Sequence, residues 1–269
     1  MKSLYEKIAY RVSSKYPLSE LPVILATTNK TKIEKFTEFL SLFEYRCGIK
    51  FHIDTLKSIG LESFDCPEPY YTYEENARLK NAMVFYYINE GKTQFQYPVS
   101  DYLIITDDTG LEISDLDGWP GVKTKRAAET IPHYTGMTSA EAILEKLSTL
   151  PDKLEKLHGA LKSSCVVSLA YDRPVDGSEP SRIIPSDRMT FCGFGTQLVR
   201  FVEPEKDEKV FTAWDICSPS NADEISGLFH YNLPVYSKMP ISKSMLYEDY
   251  MWQSFKKAMD SALDAYKDL

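Results

Sequence analysis

The stretch Leu103–Pro120, LIITDDTGLEISDLDGWP, constrains the chain more than any other. Leu103-Ile104-Ile105 is an uninterrupted apolar run of the kind a buried strand needs, and it delivers Asp107 and Asp108 to its carboxyl end just before Gly110. Two adjacent carboxylates at the mouth of a sheet invite a divalent cation. Successive residues of an extended segment face opposite ways, so one of the pair leads the chemistry while the other supports the turn or a contact behind it. Asp-Asp-Thr-Gly also fits a plain turn, since Asp and Gly are ordinary turn residues, and these four residues alone leave both readings open.

Charge and composition narrow the partners. A net charge of −8 over 269 residues argues against binding a nucleic-acid polymer, although a local group of lysines can still hold a small polyphosphate. With 43% hydrophobic residues the chain has material for one large domain or for two lobes sharing a cleft. Its cysteines, Cys47, Cys66, Cys165, Cys192 and Cys217, are odd in number and lack C-x-x-C spacing, which favours reduced thiols over a disulfide framework or a zinc site. No apolar stretch reaches the length of a membrane span and the start of the chain has no signal-peptide core, so the expectation is a cytoplasmic protein with no membrane partner.

Several other stretches carry local signals. Leu4, Ile8, Val12 and Tyr16 recur at four-residue steps and predict an amphipathic helix over residues 1–20. Val23-Ile24-Leu25-Ala26 reads as a second buried strand leading through Thr27, Thr28 and Asn29 into a helix with an apolar face of Ile33, Phe36, Leu40 and Phe43. Thr28 or Asn29 caps that helix, and its first-turn amides with Lys30 and Lys32 either form an anion site or are an ordinary capped end with solvated lysines. Pro67 and Pro69 hold Glu68 on a stiff extended segment, where a carboxylate is useful to a metal. Thr72 to Glu75 is a capping box for a helix to about Asn89, which makes Glu75 structural and puts Lys80 two turns in, facing phosphate or solvent. A second capping box, Thr138 to Glu141, opens a helix ending before Pro151. Lys123, Lys125 and Arg126 follow the turn at Asp117–Gly121, and a basic cluster near an acidic pair suits a metal-polyphosphate ligand. Ser164–Ala170 and, more weakly, Arg188–Phe194 read as strands separated by a loop over Arg173–Ser186. The last helix presents Met245, Trp252, Phe255, Met259, Ala262 and Tyr266 to the core.

In their order, LATTNKTKIEKF (25–36), TYEENARLKNA (72–82) and TDDTGLEISDLDGWPGVKTKRAA (106–128) resemble the inosine triphosphate pyrophosphatase family, which hydrolyses non-standard purine nucleoside triphosphates. The resemblance covers roughly residues 22–170. It implies an elongated, two-lobed α/β fold with a mixed sheet and a central cleft, a single such domain over 1–269, and a homodimer. It implies a hydrolase that uses magnesium, with manganese as the alternative ion, to split a nucleoside triphosphate into monophosphate and pyrophosphate. Asp108 is then the catalytic residue and a metal ligand, Glu68 the other ligand, and Asp107 its support. Thr27, Thr28, Asn29, Lys30, Lys32, Lys80, Thr109 and Arg126 would hold the phosphates.

The carboxyl half departs from the family pattern. Gly193-Phe194-Gly195 is kept, but Thr196-Gln197-Leu198 replaces the family's aromatic-Asp-Pro, and Lys238-Met239-Pro240-Ile241-Ser242-Lys243-Ser244 lacks its His-Arg. Phe194, Gly195, Gln197, Lys238, Ser242 and Lys243 are the base-facing candidates, with Phe194 stacking on the base. Losing both a charged donor and its matching carboxylate alters which base is preferred. Residues 203–236 read as an insertion, which leaves Trp214, Asp215 and Arg200 as alternative base readers. A rival reading of the same losses is a nucleotide-binding regulator that no longer turns over.

Overall fold

The structure, a computed structural model, describes residues 20–90, 95, 97, 101–132, 136–170, 188–204, 209–220 and 249–266. The helix expected over residues 1–20, the loop at 173–186, most of 203–236, and Lys238, Ser242, Lys243 and Met245 lie outside the described residues. Strands β1 (Glu20–Leu25), β2 (Lys50–Thr55), β3 (Leu103–Ile113), β4 (Pro120–Gly121), β5 (His158–Ala170), β6 (Arg188–Phe201) and β7 (Cys217–Pro219) form one sheet in the order β2-β1-β3-β5-β6-β7, with β4 on β3. β1 runs parallel to both β2 and β3, whereas β3–β4 and β6–β7 are antiparallel, so the sheet is mixed as the sequence led one to expect. The longer helices are α1 (Lys30–Cys47), α2 (Tyr73–Asn89), α3 (Ser139–Ser148) and α4 (Tyr250–Tyr266).

Two compact units share these elements. The first unit's described residues lie within Met1–Asp108, Ser164–Gly193 and Ser254–Leu269, and the second's within Thr109–Ser163 and Phe194–Gln253. In the first, α1 buries Phe36, Phe39, Leu40 and Phe43, and Phe255 of α4 packs its ring 5.6, 5.5 and 5.5 Å from those of Phe36, Phe39 and Phe43. Such aromatic pairs contribute about 0.5–1.5 kcal/mol each beyond the area they bury. In the second, Thr138 caps α3 with both halves of the capping box in place.

Three strands run further than their apolar patterns suggest, β5 beginning at His158 where the pattern begins at Ser164. β3 does not end before the acidic pair; it carries Asp107 and Asp108 through its middle, so Asp-Asp-Thr-Gly is strand and not turn. Each polar group there has a partner that removes the reason to turn outward: Thr106 Oγ1 donates to Ala77 O at 2.9 Å, Asp107 meets Lys32, and Asp108 accepts from Asn76. β6 likewise passes through Gly193-Phe194-Gly195 to Phe201. The glycines make this continuation fit, because a Cβ at Gly193 would overlap the Ser254 carbonyl of α4 and stand 2.8 Å from the Ala258 nitrogen. A Cβ at Gly195 would overlap the Tyr250 carbonyl.

Gly193→Ala should therefore force helix backbone to shift and cost at least about 2 kcal/mol, read as a lower urea midpoint. An unchanged midpoint would show that the close approach is not a constraint.

Candidate functional site

The parallel register seats Leu25 opposite Ile105, so the chain leaves β1 beside the residues that precede the acidic pair. Ala26 N donates to Ile105 O at 2.8 Å, and Thr27–Asn29 then turns the chain into α1. Asn29 is the cap: its Oδ1 accepts from Thr31 N at 3.0 Å and Lys32 N at 3.3 Å, while its own N–H donates to Thr27 Oγ1. Two first-turn amides expected to receive phosphate are thus held by the cap. The two lysines part company. Lys30, 90% exposed, pairs at 3.8 Å with Glu34 one turn on, whereas Lys32 reaches inward to set its Nζ 2.5 Å from Asp107 Oδ2.

α2 is docked on β3 by amides. Thr72 caps it, accepting from Glu75 N and donating to Glu75 Oε2, which gives Glu75 the structural role expected of it. Further along, Asn81 Nδ2 donates to Ile104 O at 3.0 Å, and Asn76 Nδ2 donates to Asp108 Oδ2 at 3.1 Å. Lys80 does not face solvent: its Nζ donates to Asp107 O at 2.9 Å and stands 3.4 Å from Glu68 Oε1. Glu68, Asp107 and Asp108, from two stretches well separated in sequence, therefore gather about one ammonium. Asn76 and Asn81 were not singled out from the sequence. Their signal was there, as amides set among Ala77, Val84, Phe85 and Ile88 on the buried face of an otherwise polar helix.

Burial pushes the Asp108 carboxyl up to about 6, and the neighbouring charge of Glu68 adds to the rise. Lys80, Lys32 and the Asn76 hydrogen bond oppose it without cancelling it. For Lys80, burial alone would lower the pKa, but the negative charges of Asp107, Glu68 and Asp108 outweigh it and leave it raised, so the ammonium persists. Burial raises the thiols of Cys66 and Cys165 as well, and both stay protonated at neutral pH, unsuited to nucleophilic work. Cys66, Cys165, Cys192 and Cys217 are all free.

Among the described residues, no group of three or more His, Cys, Asp or Glu side chains gathers as a metal cage. A magnesium ion needs less than that, since it is commonly bound through one or two carboxylates, with waters and substrate phosphates completing an all-oxygen shell. Glu68 and Asp108 fit such an ion: both donors are oxygen, and a cation would offset the burial and mutual repulsion that push the Asp108 carboxyl up.

The remaining candidates belong to the second unit. Thr109 is buried in β3, and Arg126 is half-buried in the short 3-10 segment Thr124–Thr130. Along β6, Phe194 (50% exposed), Thr196 and Leu198 (65% exposed) face outward, while Gly195, Gln197 and Val199 face inward. Phe194 and Gln197 thus lie on opposite faces of the strand, and Gln197 Oε1 is buried with no hydrogen-bond partner among the described residues. Asp215 accepts from Thr212 N at 2.8 Å and Phe211 N at 3.1 Å, closing its own turn, and Trp214 Nε1 donates to Tyr250 OH at 2.7 Å.

A mixed sheet flanked by helices, with a lysine-bridged acidic centre on its third strand, makes this an α/β protein. More narrowly, it belongs to the Ham1 family, whose profile matches residues 23–212. Among similar proteins is the dITP/XTP pyrophosphatase of Chlorobaculum tepidum, 33% identical over 138 residues, which are 51% of this chain and 55% of that protein. Those of Clostridium perfringens (31% over 151 residues, 56% and 64%) and Staphylococcus epidermidis (28% over 184 residues, 67% and 79%) are similar too. The chain thus spans less than two thirds of the length of the first two. The solved HAM1 protein from Coxiella burnetii shares the fold with a TM-score of 0.56 at 15% identity, covering 93% of this chain and all of that one (100%). The Staphylococcus aureus Ham1 protein gives 0.51 at 21%, covering 92% and 98%. The family is the one the three sequence motifs resemble.

Because Asp108 holds its proton more tightly in the folded chain than in the unfolded one, it destabilises the fold as pH rises from about 4 through about 6. Asp108→Asn removes that burden, and in metal-free buffer it should raise Tm by a few degrees at about pH 8 and not at about pH 3, where both states are protonated. Equal Tm shifts at both pH values in a melting scan would contradict the buried-acid account.

Proposed function

We propose that this protein is a magnesium-dependent nucleoside triphosphate pyrophosphatase, converting ribo- or deoxyribonucleoside triphosphate to monophosphate and pyrophosphate. The carrying observation is the convergence of Glu68, Asp107 and Asp108 with Lys32 and Lys80 within one unit. The dITP/XTP pyrophosphatases among the similar proteins support the reaction class. Glu68 and Asp108 would hold the cation, which when bound supplies Lewis acidity toward the phosphate oxygens. Asp108, a buried carboxylate, would take the proton as the attacking water forms a bond to phosphorus and pyrophosphate departs. Asp107 fixes Lys32, and the Thr27–Asn29 turn with Lys32 and Lys80 lies on the side where phosphates would be neutralised. Thr109 and Arg126, which belong to the second unit, are phosphate candidates on the family resemblance alone.

The base preference is altered from that of inosine and xanthosine triphosphate. Support comes from the replacement of the family's aromatic-Asp-Pro by Thr196-Gln197-Leu198 and from Lys243 and Ser244 in place of His-Arg. Strand alternation adds that a base stacked on Phe194 would meet Thr196 sooner than Gln197. The reading takes 1–269 as one domain with an insertion over 203–236. A homodimer rests on the family resemblance, and a cytoplasmic location on the sequence. Among the described residues no helix is long and apolar enough to cross a membrane.

Pyrophosphate release from a panel of nucleoside triphosphates, with and without magnesium, tests both parts. Turnover should require magnesium or manganese and yield monophosphate, and Asp108→Asn should lower kcat roughly a thousandfold while the chain stays folded. Normal turnover by that variant removes the catalytic assignment, and strong preference for inosine and xanthosine triphosphates removes the altered-base claim. The acidic limb of the rate profile should fall near pH 6 at limiting magnesium and move to lower pH as magnesium is raised, since proton and cation compete for one carboxylate.

A further inference from the structure

Asn76 is wholly buried in the first turns of α2, yet none of its side-chain bonds serves the helix. Its Oδ1 accepts from Tyr70 N at 3.0 Å, and its Nδ2 donates both to Tyr70 O at 3.3 Å and to Asp108 Oδ2 at 3.1 Å. A carboxamide has one acceptor oxygen and two N–H donors, and here all three functions are used. Two of them grip one residue's backbone on both sides, as a neighbouring strand would, and fix how the Tyr70 peptides are oriented. Tyr70 lies two residues after Glu68, with Pro69 between them and Pro67 before, so little backbone freedom separates the gripped residue from the backbone of Glu68, and Lys80 stands 3.4 Å from the Glu68 carboxylate at the end of its side chain. The third bond ends on Asp108 itself. One side chain thereby ties the segment bearing Glu68 to the strand bearing Asp108, from a helix end that Thr72 has already capped.

We propose that Asn76 is a positioning residue: it sets the placement of Glu68 relative to Asp108, so that both carboxylates serve one divalent cation. This rests on the metal-using reading above. No other common residue of this size supplies the pattern. Aspartate would turn an oxygen toward both Tyr70 O and the Asp108 carboxylate, and leucine would take away the partners that Asn76 gives Tyr70 N–H, Tyr70 C=O and Asp108.

The test is calorimetric titration of the full chain with Mn2+ in the absence of nucleotide, paired with steady-state pyrophosphate release and a melting scan for each variant. Asn76→Ala should weaken Mn2+ binding about ten- to a hundredfold, and lower kcat with KM for nucleotide held within about twofold. A residue that only stabilised the fold would lower Tm and leave the metal affinity of the folded variant unchanged, and that result overturns the proposal. Should the alanine variant not fold, Asn76→Asp decides. It keeps the shape and the acceptor for Tyr70 N–H but removes the donor to Asp108, so it should lose at least about tenfold in kcat, and wild-type turnover overturns the proposal. Glu68→Gln and Asp108→Asn separate the two levels of argument. If both bind Mn2+ like the wild type, the metal reading itself fails; if both lose it while folded Asn76→Ala does not, only the positioning role fails.

Discussion

Two carboxylates carried through the middle of a buried strand bear a large desolvation cost, and Lys32, Asn76 and Lys80 of the first unit are arranged around them. Burying an ion without compensation costs several kcal/mol even after relaxation. Asp107 meets that cost by accepting Lys32 from α1, in an ion pair whose acid is only 2% exposed. Asp108 is compensated less fully. An amide and two lysine charges oppose its burial, yet its carboxyl remains pushed up to about 6. Adjacent positions on β3 look to opposite sides, and Asp107 pairs directly with Lys32 while Asp108 bonds to an amide and feels the charge of a second acid, Glu68, beside that of Lys80.

That imbalance is what gives the place its chemistry. A site with every charge neutralised would be more stable and would have little reason to bind a cation or accept a proton. Lys80 plays both parts. It lies close to Glu68, donates to the backbone of Asp107, and keeps its own charge because three acids surround it. Two helices and one irregular segment thus converge on a single strand, α2 alone delivering three polar side chains to it, Asn76, Lys80 and Asn81.

How much of this could be read from the sequence depended on whether the signal was local. β1, β3 and β5 announced themselves by apolar runs, β2 (Lys50–Thr55) and β7 (Cys217–Pro219) did not, and Thr72 and Thr138 marked their helices by capping chemistry that needs only neighbouring residues. Asp107, Asp108 and Glu68 stood out because acids flanked by apolar residues or prolines are unusual. The lengths of β3 and β6 were hidden. Strand continuation through Asp-Asp-Thr-Gly and Gly-Phe-Gly depends on partners distant in the chain, Lys32 and Asn76 for one and the backbone of α4 for the other. Asn76 was hidden for the same reason. An asparagine four residues beyond a cap reads as a surface residue until the segment it grips is known. Lys30 and Lys32 look equivalent in sequence, and only the direction of the helix face separates the solvated one from the one that meets Asp107.

The close seating of α4 on β6 limits how this strand can diversify. Inward positions at Gly193 and Gly195 have no room for any side chain, whereas Phe194, Thr196 and Leu198 point away from the helix. Mutational drift that leaves the core intact is therefore channelled into every second residue. New ligand contacts on this strand would be acquired in steps of two, on a single surface, with Gly193 and Gly195 held fixed by the helix behind them.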